Sequence, residues 1–314
     1  MTARTAQTGQ RKRAGLPDKY RLFLMALPFL LLVLTFSYGP LFGWSYAFFD
    51  YRPGIPLSSE NFVGFKWFTT LFSSPVQRAE VLRVMTNTIV MSLLNIACSV
   101  LPVAFAVFLS EVRIPWYKKS VQVLTTLPNF ISWVLVYSFA YALFNTNNGF
   151  LNQFLMRLGV LDRPINFLAD PDNIWLKMCA WNVWKTLGWS SIMYLAAIAG
   201  IDQTLYEAAR IDGAGRFQIM WHITVPGILE TYFVLLLLSI ANFISNGMEQ
   251  YFVFQNAMNR NKIEVLDLYV YNIGLGGGSF SYATAVSILK SVVSLTLLFV
   301  ANSLSRLVRG NTIL

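Results

Sequence analysis

The sequence is poor in the charge that a soluble domain needs. Only 12% of its 314 residues are charged, whereas 55% are hydrophobic, and the mean hydropathy is +0.52. A soluble chain of this length carries more charge on its surface. The composition therefore predicts a polytopic membrane protein.

Cysteine and histidine are also scarce. The chain has two cysteines, Cys98 and Cys179, both in or beside apolar runs, and one histidine, His222. Disulfide frameworks and most metal centres need several such residues at set spacings, so we predict neither. No glycine-rich loop ending in Gly-Lys-Ser/Thr occurs, so we do not expect this chain to bind ATP.

The net charge of +9 does not indicate nucleic-acid binding, because the basic residues lie between apolar runs rather than on one face. Residues 1–21 are polar and basic, which predicts a cytoplasmic tail. The apolar run that follows is too long for the core of a signal peptide, so we predict an uncleaved first span.

Six apolar runs are long enough to cross a membrane, since a hydrocarbon core of about 30 Å needs about twenty helical residues. They are Leu22–Phe49, Ile89–Leu109, Ser120–Phe144, Ile174–Ile201, Ile228–Phe254 and Ala283–Ser305. Lys and Arg are denser in the segments that this count places inside, which predicts cytoplasmic N- and C-termini. The predicted fold is an all-α polytopic membrane protein with six transmembrane helices, the transmembrane domain being residues 22–314.

A mildly polar stretch, Tyr206–Pro226, separates the fourth and fifth apolar runs. Residues 207–211 predict a short helix, and the glycines at 213 and 215 are expected to end it and to let a second surface approach the backbone. We expect a positive φ at Gly213 and place Glu207 at the start of the helix, where the dipole favours an anion. These features are typical of a docking element.

The motif in this stretch consists of Glu207, Ala208, Ala209, Gly213, Ile223, Val225 and Pro226. It resembles the EAA loop of permease subunits of binding-protein-dependent ABC importers, although the family usually ends the motif in Leu-Pro. The resemblance implies the type I ABC importer permease fold, with residues 201–227 or so as a coupling helix seated in a groove of a cytoplasmic ATPase. The coupling residues it implies are Glu207, Ala208, Ala209, Asp212, Gly213 and Pro226.

Further segments narrow the resemblance. They are Tyr38–Pro40, Phe48–Tyr51, Leu127–Trp133, Gly247–Gln250 and Ser281–Ala285. They are similar to permeases for complex oligosaccharides, related to the maltose-type group. The resemblance implies a non-enzymatic import subunit for oligosaccharides or polysaccharide fragments in the bacterial cytoplasmic membrane, with no cofactor of its own. The implied partners are a second homologous permease, an ATPase dimer that holds ATP and magnesium, and an extracytoplasmic solute-binding protein.

Polar side chains recur inside two predicted spans, where lipid exposure would be costly. Ser239, Asn242, Asn246 and Glu249 share one helical face of the fifth span, and three bulky residues of the fourth recur every four positions. Amide and hydroxyl groups suit sugar hydroxyls, and an indole suits a pyranose face. The predicted pathway residues are Asn242, Asn246, Glu249, Gln250, Trp181, Lys185 and Trp189.

Alternatives remain for these residues and for the chain. Ser and Asn within spans also join helices, and Trp also marks the membrane interface. Glu249 could pair with Lys290 or Lys185, while a Lys185 that faces the pathway would favour an acidic sugar such as a uronate. The alternative function is a secondary transporter of a polar solute driven by an ion gradient, although no repeat between the two halves is visible. An intramembrane enzyme lacks a motif.

Overall fold

The computed structural model describes residues 17–309, and of their side chains all except those of residue 18 and residues 304–309. Most of the predicted basic tail therefore lies outside the described residues. Within that range the chain is helical and forms no strand beyond an isolated bridge between Phe49 and Phe62. The all-α prediction is confirmed.

The structure divides into two compact units, and the first ends at Tyr46. Its described part is α1, Asp18–Val33, which continues through a π-helical turn, Leu34–Tyr38, into a 3₁₀ segment that begins at Gly39. Pro28 lies inside α1. The helical run Lys19–Phe48 is long and apolar enough to cross a membrane, in agreement with the predicted first span.

The second unit begins at Ala47. Its helices are α2 Lys66–Ser73, α3 Pro75–Cys98, α4 Val100–Ser110, α5 Pro115–Thr126, α6 Trp133–Phe144, α7 Phe150–Arg157, α8 Ile174–Ala199, α9 Gln203–Ile211, α10 Arg216–Ile219, α11 Val225–Ala241, α12 Glu249–Phe254, α13 Arg260–Ile263, α14 Leu266–Tyr271 and α15 Phe280–Arg309. Proline occupies the first turn of α3 and of α5, where a missing N–H costs nothing.

The third and fifth predicted spans are interrupted rather than continuous helices. The third is bent by 105° between Phe130 and Trp133, because the chain passes through a 3₁₀ turn that contains Pro128 and leaves it in extended conformation at Ile131. The fifth ends at Ala241, and the chain turns at Gly247, whose φ is 74°, before α12 begins.

The count of crossings follows from these breaks. Four described helical runs are long and apolar enough to span, Lys19–Phe48, Pro75–Ser110, Arg216–Ala241 and Phe280–Ser303, and the bent pair makes a fifth if it is one span. α8 matches the predicted fourth span within two residues but is not among the runs that pass on length and apolarity. The six crossings thus remain a prediction.

A buried carboxylate fixes the segment between α12 and α15. Glu264 is 1% exposed and accepts hydrogen bonds from Arg83 at 2.7 Å and Asn272 at 2.7 Å. Two residues on, the backbone N–H of Leu266 donates to Thr88 Oγ1 at 2.8 Å. A buried carboxylate is stable only when its lone pairs are filled, so this network ties residues 264–272 to α3.

Candidate transport pathway and coupling loop

The polar loop begins with a capped helix. Asp202 precedes α9 and its Oδ1 accepts from the backbone N–H of Thr204 at 2.9 Å. This backbone hydrogen bond, together with one from the Thr204 side chain, lowers the pKa of the Asp202 carboxyl. The cap is therefore ionised at neutral pH, and its contribution to stability is lost only as the pH falls through that lowered pKa.

Glu207 does not lie at the start of this helix. α9 begins four residues earlier, at Gln203, so Glu207 is in the middle of the helix and the predicted dipole interaction is wrong. The signal that reasoning from sequence missed is Asp202, a favoured N-cap residue followed by helix formers. Glu207 and Ala208 are exposed, and Ala209 is half-buried.

Gly213 ends α9 in the left-handed conformation, with φ 78°, as predicted. Its N–H donates to Arg210 O at 3.1 Å, and the N–H of Ala214 donates to Ala209 O at 2.9 Å. These bonds satisfy carbonyls that the helix end leaves free. Gly215 differs, because its φ is −73° and it caps α10, while its N–H donates to Gln218 Oε1 at 2.7 Å.

The loop presents an exposed outer surface. Asp212, Gly213 and Pro226 are exposed, and so is Ile211, at 86%. A depression of about 340 Å³ opens between the end of α9 and the π-helical turn of Met220–Thr224. Its lining residues are Ala209, Asp212, Gly213, Ala214, Gln218, Ile219, His222 and Ile223. Three of the six predicted coupling residues therefore surround one concave surface.

Tyr206 of α9 contacts the turn before α11, and Ile201, which precedes α9, contacts α11. Tyr206 is buried, with its hydroxyl 3.2 Å from that of Thr224. Ile201 packs so closely on Gly227 that a Cβ there would lie 2.6 Å from Ile201 Cδ1. A displacement of α9 therefore has a contiguous path to α11.

A cavity of about 500 Å³ lies between α3, α4, α8 and α11. Its polar lining residues are Asn95, Ser99, Asn182, Thr186, Ser190, Ser239 and Asn242, and its aromatic ones are Trp189 and Tyr194. Asn182 Nδ2 donates to Asn95 Oδ1 at 3.2 Å. No Asp, Glu, Lys, Arg or His is among the described residues that line it. The cavity thus offers amide, hydroxyl and indole groups.

Two of the predicted pathway residues, Asn242 and Trp189, line this cavity. Asn242 is exposed at the end of α11, and its side chain donates to Leu238 O at 2.9 Å. Trp189 is 50% exposed and meets Phe130 edge to face, with ring centroids 5.7 Å apart. Asn95 and Ser99 were missed, although Asn95 is a polar residue within an apolar run and meets the same criterion.

Lys185, another predicted pathway residue, does not line the cavity. It is 7% exposed and donates to the carbonyl oxygens of Pro128 at 3.2 Å and Asn129 at 2.7 Å, while its ammonium lies 5.4 Å from the Trp133 ring centroid. These contacts hold the bend between α5 and α6. Trp181 is in a separate aromatic cluster with Phe144, Trp184 and Phe254.

The helical stripe predicted for the fifth span does not exist, because α11 ends before Asn242. Asn246 instead donates to Thr88 O at 3.0 Å and accepts from Ser92 at 2.9 Å. Gln250 is buried and donates to Met178 O at 2.7 Å. Gln250 therefore joins α12 to α8, and Asn246 ties the segment after α11 to α3.

Glu249 is exposed in the first turn of α12 and makes no ion pair within 4.0 Å among the described residues. Lys290, one of its two candidate partners, pairs with Asp267. Glu249 therefore lies outside both the cavity lining and the ion pairs that hold the fold together.

Residues 20–310 match the family described as "Binding-protein-dependent transport system inner membrane component". The chain is 38% identical to Protein LplB of Bacillus subtilis (strain 168) over 303 residues, 96% of this chain and 93% of that one. It is 40% identical over 290 residues to the polygalacturonan/rhamnogalacturonan transport system permease protein YteP of the same organism, covering 92% and 88%.

A solved structure is similar along nearly its whole length. A chain in the crystal structure of a bacterial alginate ABC transporter, in complex with an alginate pentasaccharide-bound periplasmic protein, superposes with a TM-score of 0.83. The sequences are 32% identical, and the match covers 94% of this chain and 97% of that chain.

Proposed function

The chain belongs to the family of binding-protein-dependent transport system inner membrane components, and from this we propose that it is the permease subunit of an ATP-driven importer for oligosaccharides or polysaccharide fragments. Family membership and the apolar helices make it a multi-pass membrane protein that serves transport rather than catalysis. The names of its relatives support the substrate class, since they include a polygalacturonan/rhamnogalacturonan permease and a transporter for the acidic polysaccharide alginate.

The cavity lined by Asn95, Asn182, Thr186, Trp189 and Asn242 is the observation that carries this proposal. Amides and hydroxyls both donate to and accept from sugar hydroxyls, and an indole face covers the apolar face of a pyranose. Since none of the described residues that line the cavity is charged, we propose that the cavity recognises hydroxyl groups, which neutral and acidic sugars share.

We propose that the exposed face of α9 docks on a cytoplasmic ATPase and that α11 transmits its motion. Tyr206 and Ile201 link the loop to the start of α11, and Leu238 and Ser239 near its end line the cavity. A helix of 17 residues spans about 25 Å at about 1.5 Å per residue. Closure of the ATPase can thereby change access to the cavity.

The partners that we propose complete the transporter. One is a second, homologous permease that faces the open side of the cavity, another is an ATPase dimer that carries ATP and magnesium, and the third is an extracytoplasmic binding protein that delivers the sugar. In this arrangement both termini are cytoplasmic and the chain binds no cofactor. It does not transport alone.

Uptake into proteoliposomes tests the proposal. We expect import of unchanged oligosaccharide only when both permeases and the ATPase are present, ATP is on the ATPase side and the loaded binding protein is on the other. Collapse of ion gradients with an ionophore should leave the rate unchanged. Uptake by this chain alone, driven by an ion gradient without ATP, would show a secondary transporter instead.

Cysteine labelling tests the pathway in a background without Cys98 and Cys179. Asn242→Cys should react several-fold faster than Asn246→Cys with a polar thiol reagent and should be protected by substrate, because only Asn242 lines the cavity. Leu236→Cys, on α11 just before Asn242 but outside the cavity lining, is the matched control. Equal reactivity at all three positions, with no protection, would remove Asn242 from the pathway.

A further inference from the structure

The two cysteines of the chain lie in contact. Cys98 and Cys179 are 81 residues apart in sequence, yet their Sγ atoms are 3.3 Å apart, and both are free thiols. Cys98 is the last residue of α3 and lines the 500 Å³ cavity. Cys179 is buried on α8, with 3% of its surface exposed. One thiol is therefore reachable from the cavity and the other lies directly behind it.

We propose that Cys98 and Cys179 form an oxidation site for small hydroperoxides, at which the two thiols close to a disulfide that ties α3 to α8. A disulfide bond is about 2.05 Å long, so the sulfurs must approach by about 1.3 Å. The helices already touch at this level, since Asn95 and Asn182 are hydrogen-bonded at 3.2 Å. Side-chain rotation and a small backbone adjustment suffice.

The reaction proceeds in two steps. Cys98, the thiol at the cavity wall, attacks the peroxide O–O bond, which gives a sulfenic acid and releases water from hydrogen peroxide. The Cys179 sulfur then attacks the sulfenic sulfur, the S–S bond forms, the S–O bond breaks and a second water leaves. In total, two thiols lose two electrons and two protons to one peroxide, which becomes two waters.

The position of the disulfide should make it affect transport, an inference that rests on the proposed function. α3 ends at Cys98, and α4 begins after a break at Ser99, so the disulfide lies beside a junction between two helices that line the cavity. α8 lines the same cavity through Asn182, Thr186 and Trp189. A covalent tie between these walls opposes the change of shape that alternating access needs, so oxidation should arrest uptake reversibly.

The link itself is tested without transport. Membranes that contain the full transporter are treated with hydrogen peroxide, free thiols are alkylated, and the peptides of this chain are analysed by mass spectrometry. We expect a peptide pair joined through Cys98 and Cys179 that dithiothreitol separates. Both thiols alkylated after a dose that oxidises a solvent-exposed thiol in the same membranes would overturn the site, as would sulfinic acid at Cys98 with Cys179 still free.

Measurements of uptake then test whether the disulfide arrests transport. Oxidation should lower uptake in proportion to the linked fraction, and dithiothreitol should restore it, whereas Cys179→Ser should transport before oxidation and resist peroxide. Cys179→Ala serves if the serine variant does not fold. Equal inhibition of the wild type and the Cys179 variant by peroxide would show that the disulfide does not arrest transport. Absence of ATP-driven uptake before oxidation would count against the proposed function instead, and the linked peptide would still report on the site.

Discussion

Substitution of Gly213 by Asp is expected to abolish ATP-driven uptake and to weaken retention of the ATPase on the membrane. Gly213 has φ 78°, a conformation that costs a residue with a Cβ about 1 kcal/mol. Within this chain a Cβ at Gly213 would meet nothing within 4 Å, so the fold can accept the side chain. The loss should therefore come from the docked surface, where the new carboxylate would occupy the depression beside Asp212.

Two substitutions distinguish backbone strain at Gly213 from disturbed docking of the ATPase. Gly213→Asn has nearly the same shape without the charge, and Asn tolerates a positive φ, so it should also reduce uptake if volume at the interface is the cause. Gly215→Ala should be close to wild type, because Gly215 has φ −73° and its Cβ would lie 3.6 Å from Gln218 Oε1.

The measurements are uptake, the yield of copurified ATPase and sugar binding by the external protein, which should not change. Glu207→Ala should act in the same direction but less severely, because an exposed charge in the middle of α9 contributes little compared with steric fit. If Gly213→Asp retains the ATPase at full yield and couples hydrolysis to transport as the wild type does, this loop is not the coupling element.

The helical class and the family could be predicted from the sequence because both rest on local patterns. Apolar runs of about twenty residues are typical of spans, and the motif from Glu207 to Pro226 resembles that of the family at fixed spacings, with Val225 in place of the usual leucine. The left-handed Gly213 was predictable for the same reason, since its conformation depends on the adjacent helix end. None of these features needs knowledge of which side chains meet across the fold.

The break after α11 depends on distant residues and could not be predicted in the same way. The turn at Gly247 is held by Asp267, whose Oδ2 accepts from the Gly247 N–H at 2.9 Å, and by the hydrogen bonds of Asn246 to α3. An unbroken helix would place Asn242 and Asn246 on one face, and hydropathy alone favours that helix. Long-range hydrogen bonds decide between the two.

The contacts of Lys185 could not be predicted from the sequence either. Its spacing from Trp181 and Trp189 placed it on a polar face, but a spacing does not say what the face meets. At the bend between α5 and α6, Lys185 donates to the carbonyl oxygens of Pro128 and Asn129, and Pro128 O also accepts from the Ile131 N–H at 3.2 Å. A charge inside a predicted span therefore stabilises a broken helix here and lies outside the cavity lining.

The close packing of α5 against α8 makes Gly188 a position at which even the smallest side chain should damage the fold. A Cβ there would lie 2.3 Å from both the carbonyl carbon and the oxygen of Thr125 and 2.6 Å from Thr126 N. These are backbone atoms, so only separation of the two helices relieves the overlap. Separation would also draw Pro128 and Asn129 away from Lys185.

Gly188→Ala is therefore expected to lower the yield of folded protein and the temperature of thermal unfolding in detergent. Alanine is a better helix former than glycine by about 1 kcal/mol, but overpacking a tight contact costs about 1–3 kcal/mol and sometimes more. The steric overlap should therefore outweigh the gain in helix propensity and lower the stability. Gly188→Val should be worse. Gly200→Ala, at the end of the same helix, is the control, because its Cβ would lie 3.4 Å from Ala197 O. Equal unfolding temperatures for Gly188→Ala and the wild type would mean that α5 and α8 do not approach this closely, and the bend that Lys185 holds would lose its main support.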